Sequence, residues 1–335
     1  MATIKSIVAA GNDVHVVHWD QQGKLTPYQV SQLERVYFHP RSQANFVTLV
    51  ELVNNINPDI TVVSGWQDKL YLRIAKILRK QNHIVVVALD NHWDGSSKQQ
   101  IARLLGLAGL FTTYFSHTWI PGCYQFEYVR KLGFKKENII FDLYSADVPF
   151  FRKIYQEQIE IRKIKYPHRF LFVGRLEPVK GLSVLLEAWK TLGSERGDWE
   201  LHVIGNGSLR DELTNTSGVV IKDFMQPDQL KQEIAQAGCL VLPSLKEPWG
   251  VVVHEFAAAG VPMILSDSVG SRSTFMIPGL NGFEFPTMND RRLSSLLGKI
   301  VNLSHLELIE MSFFSSLLST RITPETSAHN LLRLA

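Results

Sequence analysis

The sequence has 335 residues, of which 45% are hydrophobic and 20% charged, a composition typical of a globular protein that excludes a fibrous or disordered chain. The two cysteines, Cys123 and Cys239, stand far apart and in no metal-binding spacing, so we expect free buried thiols in a reducing cytoplasm. No signal peptide and no apolar run of about 18 residues or more is visible, so no segment is predicted to cross a membrane.

The net charge of +3 is unevenly distributed along the chain. Residues 1–155 hold 17 Lys and Arg against 12 Asp and Glu, whereas residues 156–335 hold 18 against 20. A basic first half suits contact with anionic lipid, so peripheral attachment to the inner face of the cytoplasmic membrane is one expectation. A soluble domain with a modest positive excess is the plainer alternative. Aromatic and basic residues are too little clustered to predict a nucleic-acid partner.

The length suits two domains of about 150 residues each. We place them at residues 1–155 and 156–320, with a final helix over residues 321–335. The apolar spacing near Ile4 predicts an opening helix, and DVHVVHWD, residues 13–20, predicts a strand. A doubly wound domain usually opens with an apolar strand and a glycine-rich turn. Neither is found, so we expect a first domain that lacks its first strand or has an unusual first unit.

One predicted strand of the first domain, residues 83–93, ends in a polar tip. Ligands of open α/β sheets bind at the carboxyl ends of strands, so His92 in this tip is a candidate site residue. A lone histidine is more often structural than catalytic. Asp94, and His117 after a strand expected over residues 109–116, are further candidates.

In the second half, HRFLFVGRL predicts a buried strand that ends in Gly174 and Arg175. Lys180 follows Arg175 by five residues and precedes a predicted helix, LSVLLEAWKTL. This arrangement holds two cations over a strand end and a helix start, where they can clamp two phosphates. Surface salt bridging is the alternative.

A glycine turn with Gly205 and Gly207 follows the next predicted strand. The turn is not a dinucleotide fingerprint, because G-N-G-S-L-R lacks the third glycine and no suitable acid stands about 20 residues further on. Either the turn lets the chain pass close to a nucleotide or it is only structural. Phe224 and Met225 lie in the following loop, before another predicted helix.

The stretch CLVLPSLKEPWGVVVHEFAAAG, residues 239–260, predicts a buried strand, a turn and a helix that begins after Gly250. The amides of Gly250, Val251 and Val252 would be unpaired donors at the helix N-terminus, which favours a phosphate. Glu247 in the turn and Glu255 in the helix can face one crevice. Ionised carboxylates only accept hydrogen bonds, so they suit sugar hydroxyls.

These residues carry a resemblance to a known family. E-P-W-G-V-V-V-H-E resembles the E-x7-E motif of glycosyltransferase family 4, the retaining enzymes with the GT-B fold that use nucleotide sugars. Residues 174–181 match the family's G-R-L-x-x-x-K-G motif in every fixed position, and residues 205–209 match G-x-G-x-L. The chain departs from the family's G-G-x-x-E at residues 269–273 and lacks its Asn-Gly pair at residues 144–145.

The resemblance implies an α/β protein of two Rossmann-like doubly wound domains facing a central cleft. The first domain would hold the acceptor, the second would bind the nucleotide sugar, and the last helix would cross back to the first domain. The activity implied is transfer of a sugar from a UDP- or GDP-sugar to a glycan or lipid-linked acceptor, with retention. No cofactor is implied, and because the sequence contains no Asp-x-Asp, we expect the basic pair to replace a metal ion.

The resemblance also implies a role for each candidate residue. Arg175 and Lys180, with the amides of Gly250, Val251 and Val252, would neutralise the leaving diphosphate. Glu247 would hold the hydroxyls of the donor sugar, and Glu255 would hold the ribose. Gly205 and Gly207 would lie near the nucleotide, Phe224 and Met225 against the base, and His92 against the donor sugar or the acceptor.

Three alternatives remain. A hydrolase with paired carboxylates is disfavoured, because it leaves Arg175, Lys180 and the glycine turns unexplained. Another GT-B enzyme, such as a nucleotide-sugar epimerase or a phosphorylase, uses similar motifs. A non-catalytic partner subunit that keeps the fold belongs to a different functional class.

Overall fold

The computed structural model describes residues 1–19, 33–214 and 216–335. These residues divide into two compact units, one formed by residues 1–145 with 324–335 and the other by residues 146–323. The boundary predicted at residue 155 falls inside a helix of the second unit, and the last helix of the chain belongs to the first unit. Within the described ranges, no helix combines the length and the apolar character needed to cross a bilayer.

The first unit contains two parallel sheets. Its elements begin, in chain order, with α1 (Ala2–Ala9), β1 (Val14–His18), β2 (Val36–Pro40), α2 (Phe46–Ile56), β3 (Ile60–Ser64), α3 (Lys69–Lys80), β4 (Ile84–Ala88), α4 (Ser97–Leu107), α5 (Leu110–Tyr114), β5 (His117–Trp119), α6 (Cys123–Lys131) and β6 (Ile139–Ile140). Strands β3 to β6 form a four-stranded sheet in that order, and β1 pairs with β2 in a separate sheet. The opening helix and the strand after it are confirmed, except that Asp20 lies outside the described residues.

Strand β4 has the sequence of a strand that is covered on both faces. Val85, Val86 and Val87 are each fully buried, and such continuous apolar runs are typical of parallel sheets flanked by helices. Helix α3, which precedes it, begins where the Asp68 carboxylate accepts the N–H of Leu70 at 2.7 Å. The polar tip that contains His92 therefore leaves this sheet at a carboxyl strand end, as predicted.

The strand predicted over residues 109–116 is wrong, because this segment forms α5. Gly109, at φ +75°, turns the chain out of α4, and the N–H of Phe115 donates to the carbonyl of Phe111 at 2.9 Å, which closes a helical turn. Both phenylalanines are buried. His117 consequently begins β5 and lies at its amino end, away from the edge where ligands bind.

The second unit contains one sheet of six parallel strands. Its elements are α7 (Val148–Ile164), β7 (Arg169–Val173), α8 (Leu182–Leu192), β8 (Glu200–Ile204), α9 (Arg210–Thr214), β9 (Val219–Lys222), α10 (Pro227–Ala235), β10 (Cys239–Leu242), α11 (Val251–Ala258), β11 (Met263–Ser266), α12 (Arg272–Phe275), β12 (Gly282–Phe285), α13 (Asp290–Val301) and α14 (His305–Leu318). Helix α15 (Pro324–Leu332) follows and belongs to the first unit.

The strand order of this sheet is β12-β11-β10-β7-β8-β9. The chain therefore builds outward from β7 to β9 on one side, and then returns to add β10, β11 and β12 on the other side. The order reverses between β7 and β10, which are paired neighbours. In doubly wound sheets, the crevice beyond the carboxyl ends of the strands at this switch point is where ligands bind.

Helix α7 is fixed to the second unit by a buried arginine. Arg162 is 1% exposed, and its guanidinium donates to the carbonyl of Gly260 at 2.7 Å, after the end of α11. It also donates to the carbonyl of Ile234 at 3.4 Å, near the end of α10. Burial lowers the pKa of this guanidinium. Arg162 thus satisfies carbonyl groups that two helix C-termini would otherwise leave unpaired.

Candidate functional site

The candidate site lies where the switch-point strands β7 and β10 end. Residues 174–181 connect β7 to α8, and residues 243–250 connect β10 to α11. The N–H of Leu245 donates to the carbonyl of Val179 at 2.8 Å, so the two loops are bonded to each other. A Cβ atom at Gly181, where φ is +69°, would lie 2.0 Å from the carbonyl oxygen of Pro243. The glycine after Lys180 is therefore required for this close approach.

Lys180 and Glu247, one from each loop, form an ion pair in which the ammonium donates to Oε2 of the carboxylate. The two side chains are only 16% and 13% exposed. Ser244, which is fully buried, donates to the same Oε2 at 3.2 Å. The sequence predicted both charged residues, and the structure brings them into direct contact.

Ser244, which supports Glu247, is not among the residues predicted from the sequence. The hydroxyl of Ser266 donates to the carbonyl of Ser244 at 2.6 Å, and the hydroxyl of Ser268 donates to the same carbonyl. These bonds tie the end of β10 to the end of β11. The signal that could have identified Ser244 is its position directly after a buried strand and three residues before the glutamate.

Gly270 was also missed, because the family motif at residues 269–273 is incomplete. Its N–H donates to the carbonyl of Glu247 at 3.0 Å. A Cβ atom at this position would lie 2.1 Å from the carbonyl oxygen of Pro248. The one glycine that the chain keeps in this segment is therefore the one that lets the backbone pack against the Glu247 loop.

Helix α11 begins at Gly250, where φ is +88° and no side chain caps the helix. The N–H groups of Gly250, Val251 and Val252 donate to no carbonyl or side chain of the described residues. Unpaired amides at the start of a helix carry a partial positive charge and bind anions. The predicted anion-binding helix start is thus adjacent in sequence to the Glu247 loop.

Glu255 lies in the second turn of α11 and is half-buried. Burial raises the pKa of its carboxyl to about 7. Its carboxylate has no hydrogen bond or ion pair with any described residue. The Glu247 carboxylate accepts hydrogen bonds from two side chains, whereas the Glu255 carboxylate accepts none from the described residues. Hydroxyl groups of a ligand could therefore donate to Glu255.

Its neighbour His254 has a structural role. His254 is fully buried: Nδ1 accepts the N–H of Ala146 at 3.0 Å, so Nε2, at 2.9 Å from the carbonyl oxygen of Ser319, is the donor. Burial lowers the pKa of this imidazole to about 4, and the ring stacks on Phe275. The ring is therefore neutral at neutral pH and holds together three segments of the second unit.

Arg175 is exposed and makes no hydrogen bond or ion pair within the part of the chain that the structure describes. It stands on the same loop as Lys180, five residues earlier. The loop is anchored by Glu177, whose carboxylate accepts the hydroxyl of Ser208 at 2.8 Å. The guanidinium is therefore available to a ligand, while the backbone that carries it is fixed.

The glycine turn packs on this loop. A Cβ atom at Gly205, where φ is +147°, would lie 1.8 Å from the carbonyl oxygen of Gly174, and one at Gly207 would lie 2.4 Å from that of Leu176. The N–H of Leu176 also donates to the carbonyl of Asn206 at 2.9 Å. Both glycines are thus required for packing, whatever else they contact.

Phe224 and Met225 are half-buried and line an open groove of about 560 Å³ beyond the carboxyl end of β9. Arg210 and Asp223, which form an ion pair at 2.9 Å, stand at the same groove. This volume is within the range of about 300–1,000 Å³ found for small-molecule sites.

His92 lies in the first unit, in the loop after β4. Its carbonyl accepts a hydrogen bond from Gln99 at 2.8 Å, and Gln99 also accepts the N–H of Asp94 at 2.7 Å. Gln99 is buried, so it fixes the backbone of this loop on α4. Among the described residues, no three His, Cys, Asp or Glu side chains lie close enough together to hold a metal ion.

Comparison with known proteins relates the second unit to one family. Residues 155–309 match the family model described as glycosyl transferases group 1. An uncharacterized glycosyltransferase of Methanocaldococcus jannaschii is 36% identical over 119 residues, which cover 33% of this chain and 30% of that protein. A lipopolysaccharide 1,6-galactosyltransferase of Salmonella typhimurium is 31% identical over 125 residues, 35% of this chain and 34% of that protein. The chain thus spans about a third of the length of these relatives.

Solved structures resemble nearly the whole chain. WaaG, a glycosyltransferase involved in lipopolysaccharide biosynthesis, is similar with a TM-score of 0.67 at 15% identity, over 99% of this chain and 94% of that one. Anabaena HepE in complex with UDP has a TM-score of 0.68 at 16% identity, over 89% and 85%. At such low sequence identities, the structural similarity shows a shared fold and nothing further. The chain therefore has the GT-B fold of two Rossmann-like domains, and its residues 155–309 match the glycosyl transferases group 1 family.

Proposed function

We propose that this chain is a retaining glycosyltransferase of family 4 that transfers a sugar from a nucleoside diphosphate sugar to a glycan or lipid-linked acceptor. The observation that carries the proposal is the Lys180–Glu247 ion pair at the switch point of the second sheet. A cation that meets a diphosphate and a carboxylate that meets sugar hydroxyls stand side by side there, as a nucleotide sugar requires. The family match and the names of the relatives support the same activity.

The diphosphate would bind between the two cations and the start of α11. Arg175 has no acidic partner among the described residues, and the guanidinium fork suits phosphate oxygens. Lys180, which already pairs with Glu247, would also bind the diphosphate. The unpaired amides of residues 250–252 would supply further donors. Together these groups would stabilise the charge that develops on the leaving diphosphate, so we expect transfer without a metal ion.

The two glutamates would receive the two sugars of the donor. Glu247 is held in place by Lys180 and Ser244, so a hydroxyl of the transferred sugar would donate to a carboxylate of fixed orientation. Glu255 would accept the ribose hydroxyls. Because two hydroxyl donors favour the ionised form, ligand binding would lower the raised pKa of Glu255.

The base would bind in the groove beside Phe224 and Met225. Both uracil and guanine remain candidates. Uracil is supported by similar solved structures whose ligands are UDP or UDP-2-fluoro glucose. The first unit would bind the acceptor, with His92 as the candidate contact.

In the proposed reaction, the bond between the anomeric carbon and the diphosphate oxygen breaks, and its electron pair leaves with the nucleoside diphosphate. The acceptor hydroxyl oxygen bonds to the same face of the sugar, and its proton passes to an oxygen of the leaving diphosphate. Arg175 and Lys180 would neutralise the leaving group, and Glu247 would orient the sugar ring.

The test is the release of nucleoside diphosphate from UDP- and GDP-sugars with a panel of glycan and lipid-linked acceptors, for the wild type and for Glu247→Gln. We expect turnover with one base, a product of retained anomeric configuration by NMR, and a loss of about 100-fold or more in the variant. Glu310→Gln, an exposed glutamate of α14, is the matched control and should retain full activity. Unchanged turnover in Glu247→Gln would refute the role given to that residue.

The alternative functions give different results in the same assay. A nucleotide-sugar epimerase would convert the donor without any acceptor, and a non-catalytic subunit would bind nucleotide without any turnover. Inversion at the anomeric carbon would refute the family 4 assignment while leaving nucleotide-sugar chemistry in place.

A further inference from the structure

Helix α3 of the first unit has a stripe of basic residues on its solvent face. Lys69, Arg73, Lys76 and Lys80 are all exposed and recur every three or four residues, which places them on one side of the helix. No Asp or Glu occurs between residues 69 and 89. None of these four cations has an acidic partner among the described residues. The stripe is therefore an uncompensated line of positive charge.

Helix α4 exposes an unusual number of apolar side chains. Ile101, Leu104, Leu105 and Leu107 are 59%, 65%, 43% and 70% exposed. Scattered apolar residues on a surface need no explanation, but a contiguous patch of this kind indicates an interaction site. Lys98 and Arg103 on the same helix are exposed too, and residues 95–114 contain no acid.

The basic and the apolar surfaces are continuous through α5. The ammonium of Lys76 lies 5.8 Å from the ring centroid of Tyr114, at the end of α5. Tyr114 and Leu110 line one mostly apolar hollow of about 290 Å³ together with Leu105 and Lys98 of α4. We call the exposed sides of α3, α4 and α5 over residues 69–80 and 97–114 the α3–α4 face.

We propose that the α3–α4 face docks on an anionic lipid bilayer. The leucines of α4 would enter the boundary between headgroups and acyl chains, and the six cations would lie at the level of the lipid phosphates. A second copy of the chain is the poorer occupant, because a two-fold contact would place the same uncompensated cations against each other. This surface belongs to the first unit and uses no residue of the donor site, so the proposal goes beyond the proposed activity.

The test is co-sedimentation of the full chain with vesicles of phosphatidylcholine, with and without phosphatidylglycerol. We expect binding that requires phosphatidylglycerol and weakens at high salt, since exposed charges are then screened. Each basic residue near an anionic surface contributes about a fivefold gain in affinity, so Lys69→Gln/Lys76→Gln should bind about 25-fold more weakly. The affinity of Leu104→Ser/Leu107→Ser for these vesicles should be about tenfold lower or more.

Two double variants are matched controls. Arg291→Gln/Arg292→Gln removes the same number of exposed cations from α13 of the second unit, and Leu306→Ser/Leu317→Ser removes exposed leucines of the second unit. Both should bind vesicles within about twofold of the wild type. Equal losses in test and control variants would overturn the proposal, as would the absence of binding at low salt. So would a dimer in the ultracentrifuge that forms without lipid and is abolished by Leu104→Ser/Leu107→Ser.

The outcome is independent of the activity assay. Leu104→Ser/Leu107→Ser should retain the thermal stabilisation by nucleotide, because both side chains are exposed and distant in sequence from residues 174–255. A chain that binds vesicles through this face but transfers no sugar would refute the proposed function alone.

Discussion

Replacement of Glu255 by Gln should make the second unit more stable at neutral and alkaline pH. Burial raises the pKa of Glu255 from 4.5 to about 7, which corresponds to about 3 kcal/mol at about 1.36 kcal/mol per pKa unit. The folded state binds the proton more tightly than the unfolded state, so wild-type stability falls as pH rises from about 4.5 to about 7. Gln keeps the shape of the side chain without the charge. The variant should therefore gain up to about 3 kcal/mol above pH 7 and nothing below about pH 4.

The measurement is thermal or urea unfolding of wild type and variant across this pH range. For a unit of this size, each kcal/mol of stability shifts the thermal unfolding midpoint by about 2–4 °C. Glu310→Gln, which removes an exposed glutamate of the same unit, is the control and should show no such gain. The same Glu255→Gln protein should bind nucleotide more weakly, because an amide accepts hydrogen bonds from hydroxyls less strongly than a carboxylate. A stability difference that is independent of pH, or of opposite sign, would contradict the burial argument.

Four further outcomes concern the second unit and the chemistry proposed for it. Gly205→Ala should lower the free energy of unfolding by more than about 3 kcal/mol in urea, because its Cβ would collide with a backbone carbonyl, whereas Gly197→Ala, at φ +57° and ψ −125° with open space around it, should lower it by about 1–3 kcal/mol through backbone strain alone. Arg162→Met should lower the free energy of unfolding by about 2–4 kcal/mol in the same assay, because the substitution leaves buried carbonyl groups unpaired. Wild-type stability should fall as pH drops from 6.5 to about 4, where His254 must accept a proton in the interior, and His254→Phe should lack this component of the profile. Sugar transfer should be unaffected by EDTA; its abolition and restoration by Mg²⁺ would contradict metal independence.

The strand-loop-helix units of the site were predictable because local sequence dictates them. Buried apolar runs form β7 and β10, and the glycines at positions 181 and 250 adopt positive φ where each loop enters its helix. These local rules placed Lys180 and Glu247 at the carboxyl ends of strands. They could not predict the contact between the two side chains, which lie 67 residues apart in the chain and meet only through the strand order.

Other features could not be derived because tertiary packing decides them. The segment over residues 110–114, LFTTY, is rich in residues that favour strands, yet it forms a helix whose Phe111 is buried in the core. The raised pKa of Glu255 depends on the residues that surround it in space. The support of Glu247 by Ser244 likewise depends on β11, which the sequence alone does not place beside β10.

The most direct test of the donor site is a calorimetric titration of UDP, GDP and their sugars into the wild type, Arg175→Ala and Lys180→Ala. Arg291→Ala, an exposed arginine of α13, is the control. We expect binding with one base, weakened by about 10–100-fold in each site variant, as expected for the loss of a charge-assisted hydrogen bond, and unchanged in the control. Binding that survives both site variants, or no binding of any nucleotide to the wild type, would contradict the assignment of this switch point as a nucleotide-sugar site.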